Sequence, residues 1–308
     1  MGKTSLFVQK QSGGMFAVSD QGFSTGNRFF VHSGTGTNGA GYGRNPDSPF
    51  ATLSYALSSD VCTATKGDII YVMPGHTESI AAASGCLLDI AGVKVQGLGW
   101  GQMIPTFTLT TAVGATLDIT AANCWVENIA IVSNFLDVTA SITVGASADG
   151  LTLKNLLMKD TAVALASLIG IKIAAAVSDV TIDGLRYYGL DLTADAQQAI
   201  FCAGEANRFK LINSDIWGNF DVAAVDLIAG TCLNVLYHNN FITNVDAAAG
   251  LCIGNSNNNT GWVGTNTTMG GLNATDTVTG TGLNYSKDAN YTNAAGAHAA
   301  LFVAAADS

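Results

Sequence analysis

Five charged side chains in the second half of the chain come nearest to a chemical constellation. They are Asp183, Arg186, Lys210 and Asp215, with Asp226 one repeat further along. A glycoside hydrolase needs a pair of carboxyl groups, one to donate a proton and one to attack or to activate water, and a polysaccharide lyase needs a base beside Arg or Ca²⁺. Glutamate occurs at Glu78, Glu127 and Glu205, so the available acids are almost all aspartates. His238 stands beside Asn239 and reads as a surface histidine. The cysteines (Cys62, Cys86, Cys124, Cys202, Cys232 and Cys252) are isolated, with no CxxC pair. They read as small buried hydrophobes rather than as metal ligands or a disulfide framework, which fits synthesis in a reducing cytoplasm. No cofactor or metal site is expected.

Two apparent phosphate motifs fail on context. Gly2-Lys3-Thr4 lacks the upstream glycine loop and strand of a P-loop, and Gly34 to Gly39 matches GxGxxG but opens no helix. The net charge of −10 and the lack of basic patches argue against a nucleic-acid partner. No apolar run reaches membrane-spanning length, so no membrane partner is expected. Met1-Gly-Lys-Thr-Ser is not followed by the apolar stretch of a cleaved signal.

The elements that must position these residues repeat. From Gly67 to about Tyr285 an apolar residue, any residue, then Gly or Asn recurs, with a large residue three places on. The Gly or Asn positions are Gly97, Asn128, Asn155, Gly184, Asn213, Asn239 and Asn266, at intervals of 31, 27, 29, 29, 26 and 27 residues. A period in the upper twenties carried by β-formers is that of a coiled repeat fold. A second strand per turn reads Leu88-Asp-Ile90, Leu117-Asp-Ile119, Ile142-Thr-Val144, Ile171-Lys-Ile173, Ile200-Phe-Cys202, Leu227-Ile228 and Leu251-Cys-Ile253. The connectors between strands are too short for helical crossovers, which excludes a doubly wound α/β sheet and leaves an all-β parallel β-helix. About eight turns at ~4.8 Å each make a rod ~40 Å long. Alternation sends Asp89, Asp118, Thr143 and Lys172 outward. Each Gly or Asn is expected at a corner in left-handed conformation, its amide stacking on the next inside the bend. Asp183 and Ile212 occupy equivalent positions, so the acids do not stack on successive turns. The five charged residues are therefore expected to be solvated outward side chains, and none is assigned a catalytic role.

The chain divides into an N-terminal arm (1–45), a capping helix and linker (46–66), the β-helix (67–287) and a C-terminal lid or tail (288–308). Asp47 or Ser48 is expected to cap the helix, with Pro49 in its first turn and Phe50, Leu53 and Leu57 on one face. Such a helix would cover the backbone groups and core side chains exposed by the first turn.

Three runs carry a resemblance: Phe29 to Gly39, Asn45-Pro-Asp-Ser-Pro-Phe-Ala-Thr-Leu-Ser-Tyr-Ala-Leu57, and Gly67-Asp-Ile-Ile-Tyr-Val-Met-Pro-Gly-His76. Together they resemble the entry module of pectate-lyase-like right-handed parallel β-helix proteins, of the kind encoded among tailed-phage virion genes. The resemblance implies a right-handed coil, a homotrimer and a virion structural role, and makes His76 a structural residue. A capsid decoration (cement) protein on the outer head is the favoured form. It would be assembled in the host cytoplasm and dock on the major capsid protein through the arm. The short chain, the poor charge cluster and the lack of a distinct anchoring or trimerisation domain favour the head. The alternative is a tail fibre or tailspike receptor-binding protein, possibly with polysaccharide depolymerase activity, its Ser-, Thr- and Asn-rich faces meeting surface glycans. No catalytic motif of the lyases carries over residue by residue.

Overall fold

The structure is a computed structural model. It describes residues 7–9, 16–18, 26–189, 196–246, 251–264, 267–271, 278–279, 283–285, 290–292 and 298–300. It is an all-β, right-handed parallel β-helix of about seven turns with almost no helix. Three parallel sheets form its sides. In one complete turn the chain passes through Thr152–Lys154 on sheet one, Leu157–Asp160 on sheet two and Ile169–Ile173 on sheet three. It then begins the next turn at Thr181–Asp183, in register on Thr152–Lys154.

Alternation builds the core. On sheet one Ile70, Val95, Val126, Leu153, Ile182, Leu211, Tyr237 and Val263 lie one above another, all buried. Sheet two contributes Phe107, Ile131, Met158, Tyr187, Ile216, Ile242 and Met269, and sheet three Leu117, Ile142, Ile171, Ile200, Val225 and Ile253. Each such side chain stabilises the coil by roughly 1.5–3 kcal/mol through burial. Tyr187 fits because Gly170 leaves room, since a Cβ there would meet the tyrosine ring.

Several expectations are corrected. The coil begins before Gly67: Arg28–Val31, placed in the arm by sequence, is the first strand of sheet one, paired with Ile69–Val72. The helix is a single turn, Leu53–Ala56, capped by Thr52 rather than Asp47 or Ser48. Phe50 is extended and bridges Val31, which uses its backbone in the sheet and delays the helix, although Phe50, Leu53 and Leu57 are all buried as the spacing requires. The first strand of sheet three is Cys86–Leu88, not Leu88–Ile90. A slip of two residues keeps every apolar side chain inward, so alternation does not detect it; Asp89 is left exposed beyond the strand. For the same reason the strand expected at Leu227-Ile228 runs from Ala223 to Leu227.

The N-terminal end is fastened by a buried network. Glu78 accepts hydrogen bonds from the backbone of Leu53 (2.6 Å) and Ser54 (3.4 Å), which open the helix. His76 accepts from Ser33 N at Nδ1 (3.0 Å), so its Nε2–H is the donor to Glu78 (3.1 Å). His76 is structural, as expected. At the other end His298–Ala300 pairs antiparallel with Asn290–Thr292, the last strand of the parallel run in sheet two.

Candidate functional site

The corner between sheets one and two carries the conspicuous polar surface. Asn128, Asn155, Asn213 and Asn239 take left-handed φ of 51–56°, and Gly184 a φ of 73°. Asn tolerates this region better than other side-chain-bearing residues, and Gly adopts it without strain. The backbone N–H groups of Asn128, Asn155, Gly184 and Asn213 then reach the next turn, as from Asn155 N to Asp183 O (2.7 Å), so the hydrogen-bond ladder continues round the bend. Asn239 Nδ2 donates to Asn213 Oδ1 (2.8 Å), and Asn213 Nδ2 to Asp183 Oδ1 (2.8 Å). Asn155, Asn213 and Asn239 are exposed, so their amides line the outside of the bend and not its inside. Inside stand the next residues, Ser214 and Asn240, where Asn240 Oδ1 accepts from Ser214 N (3.0 Å) and Ser214 Oγ from Leu185 N (3.1 Å).

Gly97 departs from this row. It has no left-handed φ and is needed because a Cβ would run into the carbonyl oxygen of Asn128. Asn128 Nδ2 bonds Gly97 O and Gly99 O instead (2.9 and 3.0 Å), and the longer loop 98–105 carries the exposed Trp100. Asn266 lies outside the described residues.

Three of the five sequence candidates meet at this corner. A groove of 520 Å³ is lined by Asp183, Arg186, Tyr188, Asn213 and Asp215, with Asn155 at one end. Arg186 and Asp215 are neighbours in register on successive turns of sheet two. Asp183 is held by Asn213 and by Lys154 Nζ (3.6 Å), and Tyr188 Oη donates to Asp215 (3.1 Å). Burial, and then the bond to Asp215, push the Tyr188 phenol up. A second pocket of 320 Å³ shares Asn155, Gly184 and Arg186 and ends at Trp100, so the corner is grooved over several turns.

Lys210 and Asp226 do not join them. Lys210 aligns with Thr181 and Leu236 on sheet one, and its charge helps hold the Asp179 carboxyl down. The main cause there is Arg208, which grips Asp179 with two bonds of 2.7 and 2.6 Å. Asp226 is on sheet three, buried, accepting from Gln198 Nε2 (3.1 Å) and Ile228 N (2.9 Å). Among the described residues no group of three or more His, Cys, Asp or Glu side chains is arranged to hold a metal. All six cysteines are free and buried.

A second row of left-handed residues was not anticipated. Asn123, Gly150, Asp179, Arg208 and Asn234 each stand five places before a left-handed member of the first row, Gly92 stands five before Gly97, and each precedes a sheet-one strand. Their spacing repeats that of the first row and was present in the sequence. The mixture of residue types hid it.

No protein-family model and no curated protein sequence matches the chain. Among solved structures, a rhamnogalacturonan lyase superposes with a TM-score of 0.60 at 15% identity, over 80% of this chain and 70% of that one. The fold is that of pectate-lyase-like parallel β-helices. A GH136 lacto-N-biosidase from Eubacterium ramulus (TM-score 0.41, 12% identity, 87% of this chain and 68% of that one) is a more distant match. So is a pectin methylesterase from Aspergillus niger (TM-score 0.37, 13% identity, 88% and 87%). At these identities the likeness concerns fold alone.

Proposed function

We propose that the chain is a structural protein of a tailed-phage virion: a homotrimeric β-helix on the outer head surface, contacting the major capsid protein through residues 1–45. The observation that carries this reading is the engagement of the charged candidates in holding the coil. Asp183 is tied to Asn213 and Lys154, Asp215 to Tyr188, and Asp226 to Gln198 beneath the surface. A continuous core from Phe29 to Leu283 supports a rigid body. The residues that carry the family resemblance, from Phe29 to His76, build its fastened end.

Gold-labelled antibody against the chain, imaged on particles of the phage that encodes it, tests the location. Label over the head is expected. Label at the tail tip would replace decoration by receptor binding, and unlabelled particles would overturn the virion reading. Light scattering should give three times the 31.6 kDa chain mass. Release of reducing ends or unsaturated uronates from capsule, lost in Asp183→Ala or Asp215→Ala, would establish the depolymerase instead.

A further inference from the structure

The N-terminal end of the coil carries a cavity that fastening the first turn does not require. Its volume of 420 Å³ lies at the lower end of the range of small-molecule sites, enough for a ligand the size of one amino acid. Much of its wall is aromatic. The Phe29 and Phe50 ring centres lie 6.1 Å apart, and those of Phe50 and Tyr55 5.1 Å apart, both pairs tilted. Val61 adds an aliphatic surface, and Tyr42 an exposed ring.

The two charged groups of this cavity stand on fixed backbone. Gly43 takes a φ of 79°, and a Cβ on it would run into the Phe50 ring. Its carbonyl accepts from Phe30 N in the first strand (2.8 Å), and its N–H donates to Ser48 O (2.7 Å). The next residue, Arg44, is thereby set with its guanidinium over the Phe29 ring, 4.4 Å from the centroid. Stacking occupies the face of a guanidinium and leaves its edge, the fork of N–H donors that grips a carboxylate. Asp60 comes from the turn after the helix, where Val61 N and Cys62 N both donate to Ser58 O (2.9 and 3.0 Å).

Arg44 and Asp60 line the same cavity and do not pair with each other. Among the described residues neither side chain makes an ion pair or a hydrogen bond. The backbone N–H groups of Ala40 and Gly41, which also line the cavity, are likewise unbonded among the described residues. The cavity therefore offers a fork and two backbone donors to an anionic group and one carboxylate to a cationic group. Its rings offer offset or edge-to-face packing to a further ring. A polyanion would meet Asp60 and a chain at −10 overall. A small ligand with both charges and a ring satisfies every one of these groups.

We propose that this cavity binds an aromatic α-amino acid as its zwitterion. The carboxylate takes the Arg44 fork, the ammonium takes Asp60, and the ring packs against Phe50 and Tyr55. The inference goes beyond the virion reading and concerns the isolated chain, so particle labelling and ligand binding can fail independently.

The test is calorimetry on the full chain with phenylalanine, tyrosine and tryptophan. For each, the N-acetyl derivative lacks the ammonium and the amide derivative lacks the carboxylate, while alanine lacks the ring. At least one of the three is expected to bind with Kd below about 1 mM. Its two derivatives and alanine should bind about tenfold more weakly or worse. Arg44→Gln should erase the preference for the acid over the amide, and Asp60→Asn the preference for the free over the acetylated amine. Lys172→Ala, on sheet three, should change neither. Arg44 and Asp60 are exposed, so circular dichroism melts of their variants should match wild type. The derivative series, read on the wild-type chain, tests the proposal even where a variant fails to fold. Three results would overturn it: no aromatic amino acid binding at about 1 mM, alanine or either derivative binding as tightly, or either preference surviving its substitution.

Discussion

Replacing Asp160 with Asn removes a carboxyl group from the seam between sheets two and three. Asp160 is 7% exposed. Its Oδ1 accepts a long bond from Ser167 N (3.3 Å), while Oδ2 has no partner among the described residues. Below it in register lies Ser133, buried and with its hydroxyl unbonded. Burial pushes the carboxyl up to about 7, against the partial relief of the Ser167 bond. An unfolded Asp titrates near 3.9, so between about pH 4 and pH 7 the folded chain holds a proton that the unfolded chain releases. Stability from this group is fully present below about pH 4 and is lost as pH rises to about 7, levelling off above. About three pH units at ~1.4 kcal/mol each give a loss on the order of 4 kcal/mol. The amide introduced by Asp160→Asn has no charge to desolvate and nearly the shape of the protonated acid. At pH 8 Asp160→Asn should therefore melt about 6 °C higher than wild type, and at pH 4 the two should nearly coincide. Differential scanning fluorimetry from pH 4 to pH 8 reads this directly. Parallel Tm–pH curves, or a variant less stable at pH 8, would refute the reasoning.

Three further outcomes follow from the same packing. Gly97→Ala should lower Tm by more than Asn155→Leu, because the first drives a Cβ into a backbone oxygen while the second mainly places Leu in a left-handed conformation costing roughly 1–2 kcal/mol; the reverse order in thermal melts would show that corner conformation, not approach distance, dominates. Ellman's reagent should leave the native chain unlabelled and titrate six thiols in guanidinium, since every cysteine is buried and burial lifts Cys62 and Cys252 to about 12; prompt labelling of the native chain would contradict the burial. Glu78→Ala removes the acceptor for Leu53, Ser54 and His76 and should cost about 2–4 kcal/mol. Trypsin should then cut the Arg28–Lys66 region first, and an unchanged digest would count against the clamp.

The coil was legible because its two strongest signals are local. A left-handed corner restricts residue type, so Asn128, Asn155, Gly184, Asn213 and Asn239 stand out, and the apolar pairs before them mark sheet one. Register along sheet three was not legible, because Cys86, Leu88 and Ile90 alternate alike and a two-residue slip costs the pattern nothing. Asp226 looked outward by parity yet is buried, because neighbouring side chains cover it. Asp160 gave no signal at all: its partners Ser133 and Ser167 meet it only once the turns are stacked. Of the chemical candidates, Asp183, Arg186 and Asp215 were rightly grouped. Lys210 was not, since sequence distance does not tell which side of a strand's two corners a residue serves.

The paired left-handed rows have a consequence for how such a chain can change in length. Each sheet-one strand from Trp125–Glu127 to Val235–His238 is enclosed between two left-handed residues five places apart, and in these turns the next strand begins two residues after the second of them. The differences in repeat length therefore fall elsewhere, as between the connectors 161–168 and 219–222. That constant segment acts as a ruler. A unit cut from one left-handed residue to the residue before its next counterpart, such as 150–178, begins and ends on matching joints. Duplicating it should splice in a whole rung and lengthen the rod by about 4.8 Å without disturbing the turns on either side.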